Sequence, residues 1–317
     1  MSLRTLYKRA VSQRLQASTF VALLVTVAIS GCTFKKAELG TKDNPVNLFF
    51  VPSVDAKVID SNSKLMQTWL EANTPYKYKI SVPQSYIAVV EAFGSKRADV
   101  AAFNTFGYLL ANQKYGAEAR LMVIRHGKAT YQSQILAKKG RFKDVKDLVG
   151  KTFAFVDPAS LSGYILPLKF LQDSGVKLGD TQFAMKHDNV VSMIYQGRVD
   201  AGATFYSPPE EKEGIQDARR LVKAQYPDIE DKVEIVKLTN DIPNDPIAFR
   251  KELPEEMKKT IADAFMKMVQ TEEGKQAFFN LYGITAMQPA TDKDYDGIRE
   301  MMKSVNANAE ELLTKKK

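Results

Sequence analysis

Short β-branched and aromatic runs alternate with stretches of helical spacing along most of this chain. Residues 46–51 form such a run and stop at Pro52, which predicts a buried strand. Residues 57–72 carry Val58, Leu65, Met66, Trp69 and Leu70 at helical intervals. A second strand is expected at 76–82, a short helix at 86–93, a strand at 100–103 and a helix at 105–115. Farther on, strands are expected at 131–137, 152–156, 183–185, 199–205 and 233–238, with helices at 164–172 and 189–196. Pro167 is expected to kink the first of these helices by removing a backbone donor. Ile242-Pro243-Asn244-Asp245-Pro246 reads as a rigid turn, and the chain closes with helices at 255–270, 274–281 and 292–313. Strand alternating with helix implies βαβ units, a mostly parallel sheet and an α/β fold. A chain that leaves one lobe, builds a second and returns predicts a two-lobed clamshell.

One internal echo supports two lobes of similar plan. Residues 97–103 read Arg-Ala-Asp-Val-Ala-Ala-Phe, and residues 198–205 read Arg-Val-Asp-Ala-Gly-Ala-Thr-Phe. Each follows a helical stretch and a loop containing glycine, Gly94 or Gly197. Chance likeness of two helix–turn–strand units is the alternative.

Charge changes the picture of where the protein works. The 317 residues include 45 Lys+Arg against 37 Asp+Glu, a formal +8 that invites a nucleic-acid reading. Residues 1–31 hold Arg4, Lys8, Arg9 and Arg14 and no acid, so subtracting those four leaves +4. Lys315, Lys316 and Lys317 carry three of the remainder. The body is near neutral and has no zinc-finger spacing or basic helix, which excludes nucleic acid as a partner. The apolar run from Phe20 to Ile29, broken only by Thr26, is shorter than the roughly 20 residues of a membrane span. A basic start, a short apolar run and small residues after it predict a secretory signal over 1–31. Ile29-Ser30-Gly31-Cys32 resembles a bacterial lipobox, in which the thiol takes a diacylglycerol; a plain signal with an incidental cysteine is the alternative. Residues 32–44 then read as a lipidated tether. Cys32 is the only cysteine, and the chain has two histidines, so disulfides, metal sites and cofactors are not expected.

Two places carry candidate chemistry. Asp157-Pro158-Ala159-Ser160-Leu161-Ser162-Gly163 follows a predicted buried strand and opens a helix. Free N–H groups there favour an anion, and the serine hydroxyls add donors. Gly163 lacks a Cβ that would crowd a bulky oxyanion. The alternative is that Ser160 or Ser162 only caps the helix. His187 lies at the turn between a strand and a helix, a position where ligands gather in α/β sheets, or is simply a solvated turn residue.

With these residues the chain resembles the phosphate-, phosphite- and phosphonate-binding receptors of ABC importers. The resemblance runs from Tyr86 through Arg97-Ala-Asp99, Tyr131-Gln-Ser133, Asp147-Leu-Val-Gly-Lys151 and Asp157 to Gly163. It continues through Lys186-His187-Asp188, Gly197 to Gly202 and Ile242 to Pro246. It implies a type II periplasmic binding protein, two α/β lobes joined by crossover strands with the ligand between them. Lobe 1 would comprise 45–130 and 243–317, and lobe 2 residues 131–242. By the same resemblance Ser160, Leu161, Ser162 and Gly163 form an oxyanion clamp and His187 adds a donor. Tyr86 and Tyr131 match tyrosines facing the ligand from the first lobe, or else pack only as wall. Asp245 matches an acid able to accept a P–OH hydrogen bond, or else only fixes its turn.

Two departures narrow the ligand. Family members usually carry Thr where this chain has Leu161, so one hydroxyl is lost. Receptors for aminoethylphosphonate carry an acid after the position of Asp200, where this chain offers only Tyr206 and Ser207 before Glu210. A buried ammonium without a carboxylate is costly. The expected ligand is therefore phosphate, phosphite or a small alkylphosphonate. The expected partners are an ABC permease with its ATPase and, through the lipid, the outer face of a bacterial membrane. A monomer is expected. Two other readings stand beside this one: a receptor for another ligand or for a membrane sensor, and an envelope enzyme. Against the enzyme, the chain lacks a Gly-x-Ser-x-Gly elbow, a P-loop and a zinc-protease helix.

Overall fold

The computed structural model describes residues 37–211 and 214–304. Strand β1 (Val46–Phe50) buries Val46, Leu48 and Phe50 on one face by simple alternation. Helix α1 (Ala56–Asn73) starts where Asp55 accepts a hydrogen bond from Lys57 N at 2.8 Å. Strand β2 (Tyr78–Ser81), helix α2 (Tyr86–Gly94) and strand β3 (Val100–Ala102) complete a parallel βαβαβ unit with β1 in the middle. Helix α3 (Thr105–Tyr115) and strand β4 (Glu118–Arg125) follow.

The second sheet opens with β5 (Thr130–Lys138). A second βαβαβ unit then runs through β6 (Phe153–Phe155), α4 (Leu166–Asp173), β7 (Thr181–Phe183), α5 (His187–Gln196) and β8 (Ala201–Tyr206). After the short helix α6 (Ile229–Lys232), β9 (Val233–Pro243) closes the sheet, whose order is β7-β6-β8-β5-β9. The chain returns through β10 (Pro246–Phe249), α7 (Glu255–Met268), α8 (Glu272–Tyr282), β11 (Ile284–Pro289) and α9 (Asp296–Ser304). The first sheet has the order β11-β4-β10-β3-β1-β2.

The echo of the two aspartates is structural. Asp99 Oδ2 accepts from Asn47 N at 2.9 Å, at the start of the strand that β3 pairs with. Asp200 Oδ2 accepts from Thr152 N at 3.0 Å, just before the strand that β8 pairs with. Each aspartate also meets an arginine, Arg250 for Asp99 at 2.7 Å and Arg141 for Asp200 at 2.8 Å. The same carboxylate staple thus ties strand to strand in both halves.

Two crossings join the sheets, residues 126–129 between β4 and β5 and residues 244–245 between β9 and β10. Asn244 is fully buried and binds both crossings together: its N–H donates to Ala129 O at 2.8 Å and its Nδ2 to Lys128 O at 2.7 Å. Both sheets belong to one compact unit. One apolar cluster runs continuously from Tyr86, Phe103 and Phe106 to Val156, Leu161 and Val190.

Several expectations shift. Strands β4, β10 and β11 have no counterpart in the sequence reading, and the expected rigid turn is mostly strand, since Ile242 and Pro243 end β9 and Pro246 starts β10. The strand expected at 183–185 ends at Phe183. The helix expected at 164–172 begins as a π turn, Leu161–Ile165, and Pro167 sits in the first turn of α4, where its missing N–H costs no hydrogen bond. The final helix divides into a 3₁₀ turn (Asp292–Tyr295) and α9, and residues 305–313 lie outside the described residues, as do Cys32 and the expected signal.

Candidate functional site

The C-terminal end of β6 sets up the site. After Val156, Asp157 Oδ1 accepts from Ala159 N at 2.8 Å, turning the chain back. Ser160 Oγ then accepts from Gly163 N at 3.1 Å and so caps the π turn. A hydroxyl that accepts one hydrogen bond still carries its own donor. Capping and ligand contact are therefore compatible at Ser160. The turn is folded against β6 through Val156 N, which donates to Gly163 O at 3.0 Å. It is tied to β5 through Ser133 Oγ, which donates to Ser162 O at 2.6 Å.

Next to it, β7 is followed by Ala184 and Met185, whose N–H groups donate to Phe155 O and Val156 O at 2.8 and 2.7 Å. Met185 is left-handed, with φ 66°, an unusual conformation for a non-glycine residue. That turn delivers α5 with His187 as its first residue, inside the helix rather than in the preceding turn. His187 N donates across to Ser53 O, after β1, at 3.3 Å. Asn104 Nδ2, at the start of α3, donates across to Ala159 O at 2.7 Å. The two halves therefore meet around a cavity of about 70 Å³.

Ser160, Leu161, Ser162, His187, Tyr86, Tyr131 and Asp245 all line that cavity. Two of them present buried polar atoms with no hydrogen-bond partner among the described residues, Tyr86 Oη and His187 Nδ1. Burial, with Arg125 as the lesser cause, lowers the His187 pKa to about 3, so its imidazole is neutral at ordinary pH. A neutral ring offers one donor and one acceptor. The ring packs edge-on against Phe205, with centroids 4.9 Å apart. Burial also raises the hydroxyl pKa of Tyr86, with Asp157 adding to the effect, and of Tyr131, with Asp245 adding to it. Both phenols stay protonated and can donate.

Two expected residues have other roles. Tyr206 does not line this cavity; it borders a separate depression with Lys128, Thr130 and Asp241. Side chains alternate along β8, so Phe205 takes the cavity and Tyr206 the other face. Gly163 is also absent from the lining. A Cβ there would stand 2.4 Å from the Val156 side chain, so glycine is required by packing against the end of β6 rather than by a ligand. Tyr131 lies in the second sheet, on β5, rather than in the first lobe.

The sequence reading missed Ser53, Asn104, Arg125, Phe205, Arg220 and Tyr282, which share the lining. Arg125 is the most consequential. It ends β4, and its guanidinium donates to Tyr282 O at 2.8 Å, Asn244 Oδ1 at 3.2 Å and Asp245 Oδ2 at 2.6 Å. It also lies 5.5 Å from the centre of the Tyr131 ring. Among the described residues, no group of three or more His, Cys, Asp or Glu could hold a metal ion.

Residues 48–295 match the family model described as "ABC transporter, phosphonate, periplasmic substrate-binding protein". The phosphate-import protein PhnD of Mycolicibacterium smegmatis is 26% identical over 275 residues, covering 81% of this chain and 84% of that protein. A binding protein component of an ABC phosphonate transporter from Pseudomonas aeruginosa superposes with a TM-score of 0.71 at 20% identity, covering 85% of this chain and 92% of the other. PhnD1 from Prochlorococcus marinus, in complex with methylphosphonate, gives 0.70 at 18% identity, with 82% and 98% covered. The two-lobed α/β fold of periplasmic binding proteins is common to them and to this chain.

Proposed function

This chain belongs to the family of periplasmic substrate-binding proteins of phosphonate ABC transporters, and we propose that it captures phosphate, phosphite or a small alkylphosphonate between its lobes. Membership implies work outside the cytoplasm, delivering ligand to a permease. One observation carries the ligand reading. Tyr86 Oη and His187 Nδ1 come from opposite halves, are buried, lack hydrogen-bond partners among the described residues and border one cavity with the Ser160–Ser162 turn. Buried polar atoms are nearly always paired, so a pair left open at one place marks a ligand site. The lining offers hydroxyl and imidazole groups together with Arg125, which suits an oxyanion. The small volume suits a compact one. The relatives named above, a phosphate importer and a receptor holding methylphosphonate, lie in the same ligand class.

In this reading the lobes are residues 45–130 with 243–317 and residues 131–242, hinged at the two crossings. The family's role in transport supports carriage of the ligand rather than its conversion. Calorimetric titration of the full chain in detergent with phosphate, phosphite and methylphosphonate should give saturable heat with at least one. Silence with all three would remove the oxyanion reading. Cys32 is the proposed lipid anchor. Wild-type protein should take up a labelled fatty acid and Cys32→Ser should not; equal labelling of both would refute the anchor.

A further inference from the structure

Asp245 is the one carboxylate in the cavity lining, and both of its oxygens are engaged by the protein. Oδ1 accepts from Thr105 N at 2.9 Å and from Thr105 Oγ1 at 3.2 Å. Oδ2 accepts from Arg125 at 2.6 Å, and the two side chains are 18% and 11% exposed. A lone carboxylate in this wall would attract a ligand's cationic arm and repel a doubly ionised oxyanion. The guanidinium removes both tendencies. It compensates the carboxylate, so the pair leaves no net negative charge in this wall.

The guanidinium is also fixed in place. Tyr282 O and the Asn244 side chain hold two of its other N–H groups, and the Tyr131 ring lies against it. Three of the five guanidinium N–H groups are accounted for in this way. Arg125 is thereby held at the cavity wall as a rigid fork. Asp245 is its orienting partner.

We propose that Arg125 is the specificity-determining residue of the cavity: by occupying Asp245 it excludes ligands with a cationic arm and favours compact, fully ionised oxyanions. The inference rests on the cavity being an oxyanion site. The other ionisable groups of the lining do not substitute for Arg125 in this role. His187 is neutral, and Tyr86, Tyr131 and Tyr282 are protonated through burial. Arg220 also lines the cavity, over the Phe279 ring at 5.1 Å from its centre, but the hydrogen bonds to Asp245 come from Arg125 and Thr105.

The test compares methylphosphonate with 2-aminoethylphosphonate, which differ by the ammonium-bearing arm. Calorimetry on wild type should show methylphosphonate bound at least ten-fold more tightly. In Arg125→Gln the carboxylate becomes available. Methylphosphonate affinity should then fall ten- to a hundred-fold while aminoethylphosphonate affinity rises, moving their ratio at least ten-fold. A rise for one ligand cannot come from misfolding, which weakens both. Should Arg125→Gln bind neither ligand, Asp245→Asn decides. With Arg125 kept and its partner neutralised, methylphosphonate should bind as tightly or more tightly and the amino ligand should stay excluded. An unchanged ratio in Arg125→Gln, or aminoethylphosphonate bound by Asp245→Asn, would overturn the proposal. Wild type that binds neither phosphonate nor phosphate would instead overturn the oxyanion reading beneath it.

Discussion

The two βαβαβ units, β1 to β3 and β6 to β8, share a frame and differ in their loops. Each is held by an aspartate that accepts the N–H at the start of its middle strand. Each directs the first residue of its second helix into the cavity, Tyr86 from α2 and His187 from α5. The difference lies after the middle strand. After β1 the chain enters an ordinary helix capped by the exposed acid Asp55. After β6 it enters a π turn capped by the buried, uncharged Ser160, with Ser162 beside it. An acid at that helix start satisfies N–H groups that an anion would otherwise claim. A serine cap leaves a donor for the ligand. The frame is thus common property, and the second half differs by its serine-capped π turn.

That comparison can be broken from its strongest point downward. Asp99 and Arg250 are both largely buried, whereas Arg141, the partner of Asp200, is half exposed. Asp99→Ala should therefore cost about 3–5 kcal/mol, the price of stranding one member of a buried pair. Asp200→Ala should cost about 1–2 kcal/mol. Urea unfolding that finds equal losses would show that the two staples are energetically alike. Next, Gly163→Ala forces a Cβ into the Val156 side chain. It should destabilise by about 1–3 kcal/mol and loosen ligand binding, because only the second half depends on the π turn. Unchanged stability and affinity would mean that the turn relaxes freely.

The acid dependence of stability separates Tyr86 from His187. The unfolded chain protonates this histidine near 6.5, its ordinary value, and the folded protein only near 3. The folded state therefore binds fewer protons between those values. Stability is lost as pH falls through that window, by at most about 1.4 kcal/mol per pH unit from this group. His187→Gln should flatten the acid limb of the stability curve measured by denaturation, and Tyr86→Phe should not. Parallel limbs in wild type and His187→Gln would show that the imidazole is hydrated.

What was legible in the sequence follows from how local each signal is. Strand β1, helix α1 and helix α3 announce themselves by apolar spacing, and the aspartate echo marked two halves before any coordinates. The motif around Ser160 and His187 likewise pointed to one cavity. Arg125 stayed hidden because its importance is set by residues 119 and 120 positions away, Asn244 and Asp245. Sequence matching points to Tyr206 where Phe205 lines the cavity, because an approximate match along the chain carries no strand parity, and a one-residue offset changes the face. The π turn was invisible because Pro167 suits the start of a helix as readily as a kink.

The position of β10 has a consequence for the order in which the molecule is assembled. It lies between β3 and β4 and runs antiparallel to both, so the first sheet has no continuous ladder until residues 246–249 join it. The second sheet draws all its strands from one uninterrupted stretch, β5 to β9. As the chain emerges from its N-terminus, the later-synthesised sheet is the first that can close. Until residues 246–249 are made, β3 and β4 lack the strand that joins them.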